Sequence, residues 1–388
     1  MSSEGAVVPN TIAVTTTTLG ALPAFLLSGL GVLSAEDLGF DERGIGYAIG
    51  VFFAAAALFA ARAGRLGDRL GPRRSLQIGV AISVTSLLTA GGLAQNLVQL
   101  MVCLAVGGVG FVLVQMGGNV LLVRAVPLAK QGLSFAVKQS AIPLASMIGG
   151  AAVPLVGLTV GWRWAFVGAV VLAAILVIPI PEIEAPERQE GPRDVRRTPL
   201  LILASSVMFC TAAANAASAF LVPSTVASGI ETGQAGILLA TGSVAGALSR
   251  LVAGWAKDRF PFDGLYVGAA LALVGGAGLL LIATLPSLAV LFAASVVAFV
   301  GAFGWSGLFV HAVAHSHPEA AGLATGIAQS GIFVGGIFGP PLFGLVASTW
   351  SYPWAWLLTV VMSVIGAVLM VIGRHVLYQV ELDPGDVG

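Results

Sequence analysis

One lysine sits where a charge is expensive. Lys138 lies in FAVKQSAIPL, residues 135–144, inside a run that is otherwise apolar or weakly polar. An ammonium group held there attracts anions, and no acid lies near it in the sequence to neutralise it. Amides supply a second kind of chemistry. Gln115 and Asn119 are four residues apart, so on a helix they share a face. Asn215 stands alone in an apolar run, and Gln139 and Gln329 add two further hydrogen-bonding groups. Trp305 offers a flat wall far from any interface. Each has a plainer reading: amides glue helices together, a tryptophan fills space, and a lysine can snorkel along its stem to water. His311 and His315 share a face, but no third metal ligand accompanies them, so no metal is expected. No nucleophile–base–acid set appears, no phosphate loop is present, and neither an enzyme nor a cofactor is expected.

The elements that must hold these residues are membrane helices. Of 388 residues 57% are hydrophobic and 9% charged, too few charges to cover a soluble surface. Apolar stretches of about 20 residues, enough to cross a roughly 30 Å hydrocarbon layer, recur at 13–34, 45–63, 75–95, 97–123, 131–157, 163–181, 199–221, 233–253, 265–284, 287–312, 322–347 and 353–374. That makes twelve spans. With both termini cytoplasmic, 16 of the 18 Lys and Arg fall at inner ends and loops, leaving Arg43 and Arg163 outside. The positive-inside rule then sets the orientation. Trp162, Trp164, Trp350, Tyr352, Trp354 and Trp356 gather at two outer loops, where an aromatic belt is expected. The N-terminus has no basic residue before its first apolar run, which argues against a cleaved signal. Cys103 and Cys210 lie in apolar runs and read as buried thiols. A net charge of zero gives no general attraction to nucleic acid.

The chain repeats itself at an offset of 190 residues. GRLGDR (64–69) matches GWAKDR (254–259), GLSFAVKQS (132–140) matches GLATGIAQS (322–330), and WAF (164–166) matches WAW (354–356). Gly39/Gly229, Gly46/Gly236 and Gly117/Gly307 keep the same offset. Two parallel six-helix halves are the reading: 1–181 and 199–388, joined by a charged, Pro-rich cytoplasmic linker at 182–198.

GRLGDRLGPRR, 64–74, joins spans 2 and 3, and here a family becomes visible. Gly64, Asp68, Arg69, Gly71, Arg73 and Arg74 stand as in the signature loop of the major facilitator superfamily, which the chain resembles over nearly its whole length. The second copy keeps Gly254, Asp258 and Arg259 but has Pro261 in place of the glycine. The resemblance implies an all-α fold of two pseudo-symmetric six-helix bundles, with spans 1, 4, 7 and 10 lining a central path. It also implies a gate: Asp68 near the N-terminus of span 11 at Ala321 and Gly322, and Asp258 near that of span 5. A carboxylate beside a helix N-terminus gains about 0.3–1 kcal/mol, which favours a closed inner side. None of the 18 acidic residues lies deep in a span, so no carboxylate proton relay is available at the midplane. Coupling is left to a proton carried by the substrate, to His311, to an exchanged solute, or to none. Span 5 matches the glycine–proline pattern of antiporters only in part, through Gly149, Gly150 and Pro154.

On span 5, Ser134, Lys138, Ala141, Ala145, Gly149 and Ala152 form one stripe, small except for the lysine, so Lys138 points into the bundle. The expectation is a monomeric cell-membrane transporter working by alternating access. Its substrate is a small polar solute, leaning toward an anion, bound by Lys138, Gln139, Gln115, Asn119, Asn215, Trp305 and Gln329. A drug or metabolite exporter is the nearer alternative, and a non-transporting membrane receptor or scaffold the more distant one. Lys138 aligns with Ala328 in the repeat, so the charge is what breaks the symmetry.

Overall fold

The computed structural model describes residues 4–176, 195–284, 287–317 and 321–382, which are helical apart from short connections. Spans 1–5 are Val7–Leu38, Glu42–Leu66, Arg69–Leu93, Leu97–Ala125 and Leu133–Gly157. Span 6 is the shorter helix Trp162–Leu176, which runs up to the undescribed segment. Spans 7–12 are Arg197–Ala227, Thr232–Arg259, Gly264–Ala283, Leu288–Ser316, Ala324–Thr349 and Tyr352–Tyr378. Eleven are long and apolar enough to cross a membrane, and span 6 completes the expected set. Alternate turns lie on two faces. One carries Arg62, Arg65, Arg73, Arg74 and Arg259 and is called the basic face here; the other is the opposite face.

Three spans differ in detail from the sequence reading. Spans 2 and 3 meet at a sharp kink with no intervening loop, at Gly71, whose φ of 74° and ψ of 170° suit glycine alone. Pro72 follows and resumes the helix. Span 5 breaks at Ser140, between helices Leu128–Gln139 and Ala141–Ala152. Pro143 has no N–H and crowds the carbonyl four residues earlier, that of Gln139. That carbonyl is thereby freed from the helix ladder. A π-helical turn, Val153–Gly157, ends the span.

The core fills as the small-residue stripe requires. Ser134, Lys138, Ala141, Ala145, Gly149 and Ala152 are all buried, while Phe135, Ile142, Leu144 and Met147 are half-buried. One apolar cluster, with Phe25, Phe52, Phe111, Phe220, Phe299 and Phe343, runs through both halves. A second, around Leu265, Trp305 and Met370, lies within the second half, and a third, around Ile12, Leu76 and Leu121, within the first.

The halves meet along two seams, spans 5 with 8 and spans 2 with 11. Toward the opposite face both seams are tight. A β-carbon on Gly150 would stand 2.6 Å from the Gly236 carbonyl oxygen. At the repeat-related positions, one on Gly46 would stand 2.5 Å from the Pro340 carbonyl oxygen. Arg43 Nε donates to Ser348 Oγ at 2.6 Å, and the Tyr352 hydroxyl donates to Glu42 Oε1 at 3.2 Å, fastening spans 2, 11 and 12 there. Toward the basic face the seams part company. Ala136 Cβ lies 3.3 Å from where a β-carbon on Gly254 would sit. Their repeat mates, Gly326 and Gly64, have no described atom within 4 Å of that position. Among the described residues, then, both seams pack tightly toward the opposite face, whereas toward the basic face the 5/8 seam keeps a contact that its 2/11 counterpart lacks at Gly64 and Gly326.

The aromatic belt is partly corrected. Trp164, Trp350 and Trp354 are exposed, but Trp162 and Trp356 are buried. Trp162 donates its indole N–H to Asp37, which Arg163 also binds at 3.0 Å, and Trp356 packs edge-on to Phe343. These rings and charges fasten loops rather than meet lipid headgroups.

Candidate functional site

Lys138 reaches no water: it is 2% exposed. Its Nζ donates to the Gln115 carbonyl at 3.0 Å and to Asn119 Oδ1 at 2.5 Å. The i, i+4 spacing on span 4 thus places both acceptors on the face turned to span 5. Gly118 makes the approach feasible, because a β-carbon there would stand 3.0 Å from Lys138 Cε. Thr17 of span 1 flanks the same glycine; its hydroxyl is buried and finds no partner among the described residues. The Gln115 amide oxygen is also buried and unpartnered. The snorkelling alternative is removed by this geometry. The Lys138 amine is buried and held by neutral oxygens, with further polar atoms nearby left unpaired among the described residues.

Arg250 had no expected place in the site. It is 6% exposed in span 8, donating from Nε to the Phe303 carbonyl at 2.8 Å and from Nη1 to the Gln139 carbonyl. Its guanidinium also lies over the Phe303 ring, 5.1 Å from the centroid. The Gln139 carbonyl is the one that Pro143 frees, so a broken helix in one half is completed by an arginine from the other. Nearby, Ser243 Oγ donates to Ser146 Oγ at 2.9 Å across the same seam. Two sequence signals existed: an arginine inside span 8 as read from the apolar runs, three residues from its end at 253, and a proline four residues after Gln139.

The other expected site residues do not all converge. Gln139 is buried beside Lys138, and Gln329 is half-buried on the 2/11 seam. Asn215 is 5% exposed with its amide nitrogen unpartnered, eighteen residues into the helix that starts at Arg197. That is roughly 27 Å of rise, a greater depth from the basic face than Lys138, which lies ten residues from Leu128. Trp305 is 3% exposed, donates its N–H to the Ala302 carbonyl at 2.8 Å, and meets Phe309 edge-on. It fills the apolar core of the second half and is not brought to Lys138.

Of the gate residues, Gly71 takes the positive-φ turn described above, Arg73 is half-buried, and Arg69, Asp258 and Arg259 are exposed. The side chains of Asp68 and of residues 128–130 and 321–323 lie outside the described set, so both expected aspartate contacts fall beyond it. Gly64 stands open, and Gly254 packs on Ala136.

A twelve-span helical bundle with glycine-packed seams and a buried polar site defines a polytopic membrane transporter. Residues 11–314 and 203–384 match the Major Facilitator Superfamily, and the chain belongs to that family of transporters. It is 30% identical over 286 residues, 68% of this chain and 70% of the relative, to a chloramphenicol resistance protein of Streptomyces lividans. It is 31% identical over 149 residues, 35% of this chain and 26% of the relative, to an uncharacterised MFS-type transporter of Mycobacterium tuberculosis. A crystal structure of a bacterial homologue of the human lysosomal transporter Spinster, inward-facing and occupied, superposes with a TM-score of 0.72 over 97% of this chain and 98% of that one at 15% identity, a likeness of fold.

Proposed function

We propose that the protein carries a small polar solute of negative charge across the cell membrane by alternating access. The observation that carries this reading is Lys138, a buried ammonium with neutral acceptors and no acid among its described partners. A cation left unneutralised inside a bundle is costly. An anion that enters beside the unpaired Gln115 and Thr17 atoms offsets that cost. Asn215, Gln139 and Gln329 contribute hydrogen bonds along the path and Trp305 supports its wall from the core side. By the positive-inside rule the basic face and both termini are cytoplasmic. The working unit is a monomer of two bundles, 1–181 and 199–388, with 182–198 as linker. A proton on the substrate or an exchanged solute supplies coupling, and the protein catalyses no covalent reaction.

The test is uptake into proteoliposomes by the Lys138→Met variant, which keeps the stem and removes the charge. Uptake of the solute should fall at least tenfold, since a charge-assisted hydrogen bond is worth about 1.5–3 kcal/mol. Unchanged uptake and affinity would sink the anion site. A second reading, drug efflux, is favoured by the chloramphenicol resistance relative. It predicts export of neutral aromatic compounds that survives Lys138→Met.

A further inference from the structure

At the basic-face end of the second half lies a cavity of about 480 Å³, within the roughly 300–1,000 Å³ of small-molecule sites. It opens between spans 8, 9, 10 and 12, away from the two seams. Lys257, His311, His315, Arg374, Asp263 and Phe262 line it. Among the described lining residues one acid faces two cations and two imidazoles, and Asp258, outside the lining, is close enough to act on the charge of His311. Asp263 is already engaged: it accepts from the N–H groups of Leu265 and Tyr266 at 2.9 and 3.3 Å and pairs with Arg374. Among the described residues Lys257 has no acid partner of its own in the cavity. It donates to the Phe262 carbonyl at 2.5 Å and lies over the Phe262 ring. Asp258, the next residue, is exposed and is not part of the lining. His311 Nδ1 is buried with no partner among the described residues, and its ring stacks on His315 at 4.2 Å.

The repeat shows that this is not scaffold. At the offset of 190, Lys257, His311 and His315 correspond to Gly67, Leu121 and Ala125. Leu121 is fully buried in an apolar cluster. Where the second half has His311 beside a cavity, the first half buries a leucine in an apolar cluster. On the surface beside the cavity, Trp255, Phe260 and Tyr378 are exposed, as aromatic rings are at headgroup depth.

We infer that this cavity is a binding site for a phosphate-bearing anion, held by Lys257 and the His311–His315 pair with Arg374 at its edge. The shared chemistry is a phosphate oxygen facing ammonium and imidazole N–H donors. Two sources present it: the headgroup of an anionic lipid and a soluble phosphate. Solute transport through the seam does not enter the argument, so this site stands or falls apart from the proposed substrate.

The test is thermal stability of the full-length protein in nanodiscs. One series replaces phosphatidylcholine stepwise with phosphatidylglycerol. The other titrates inorganic phosphate against chloride at matched ionic strength in phosphatidylcholine discs. A ligand that binds the folded state raises Tm with concentration. A saturable rise with phosphatidylglycerol assigns the site to lipid, and one with phosphate assigns it to a soluble anion. In Lys257→Gln and in His311→Leu, which copies the first half, the half-saturating concentration should rise about tenfold, or 1.4 kcal/mol. Arg62→Gln, which removes an exposed charge elsewhere on the basic face, should respond as the parent does. No response to either probe, an unchanged response in both cavity variants, or an equal loss in Arg62→Gln would overturn the inference.

Discussion

Arg250 and Pro143 form a pair that neither half explains alone. Removing the guanidinium leaves the Gln139 carbonyl without its donor, at roughly 1–3 kcal/mol for a buried acceptor, and takes from the Phe303 carbonyl one of its donors, Ser306 Oγ remaining at 3.3 Å. Arg250→Gln should therefore lower stability measurably in a denaturation series. Pro143→Ala restores an N–H that can close the helix ladder onto Gln139. In the double variant the penalty should shrink by about 1 kcal/mol, the signature of coupled residues. Strict additivity would show that the proline is not the cause. A pH effect belongs to Asp263. Burial pushes its carboxyl up, but the Arg374 hydrogen bond and charge and the Leu265 and Tyr266 N–H groups outweigh that and hold it below its ordinary value. The folded group is the stronger acid, so its contribution is present above the unfolded carboxylate range and lost as pH falls through the folded value. Asp263→Asn should flatten the acid limb of the stability curve below about pH 4, by less than about 1 kcal/mol because the pair is partly solvated. At this scale the sequence spoke clearly about Lys138, since the small-residue stripe gave its direction. It was silent on Arg250, because which carbonyl an arginine finds depends on a neighbouring helix 111 residues away.

The signature turn divides into residues that shape it and residues that wait for a partner. Gly71 is of the first kind. Gly71→Ala forces a side chain onto a positive-φ backbone and should cost about 1–3 kcal/mol. Gly64 is of the second kind, with open space around it. Gly64→Leu should leave the stability of this state within about 0.5 kcal/mol of the parent yet slow transport, because span 11 must approach there to close. Loss of stability without loss of rate would reverse these assignments. Twelve spans and their order were legible from apolar runs and charge placement, which follow from the bilayer alone. The kink that joins spans 2 and 3 without a loop and the break in span 5 were less so. Pro143 advertises the break, but its position matters only through the carbonyl it releases.

The duplication at 190 residues was readable, and so was the fold it implies; the departure from symmetry between the two seams was not. Ala136 with Gly254 and Gly326 with Gly64 occupy equivalent positions, and one pair touches while the other does not. Paired cysteines can report this directly, since a disulfide needs Cα atoms about 4.4–6.8 Å apart. The Ala136→Cys/Gly254→Cys variant should cross-link in the absence of solute. The Gly64→Cys/Gly326→Cys variant should cross-link only as turnover visits the state closed on the basic face. Cys103 and Cys210 are buried and free, so they should not interfere.

The uneven seams also say how the molecule moves. If spans 5 and 8 stay together while spans 2 and 11 part, the halves swing like a door on one edge rather than rocking as a seesaw. The vestibule is then a wedge, widest beside Gly64 and narrowing to nothing beside Arg250. A solute enters from the wide edge, and the swing angle, not a symmetric bore, sets the largest molecule admitted.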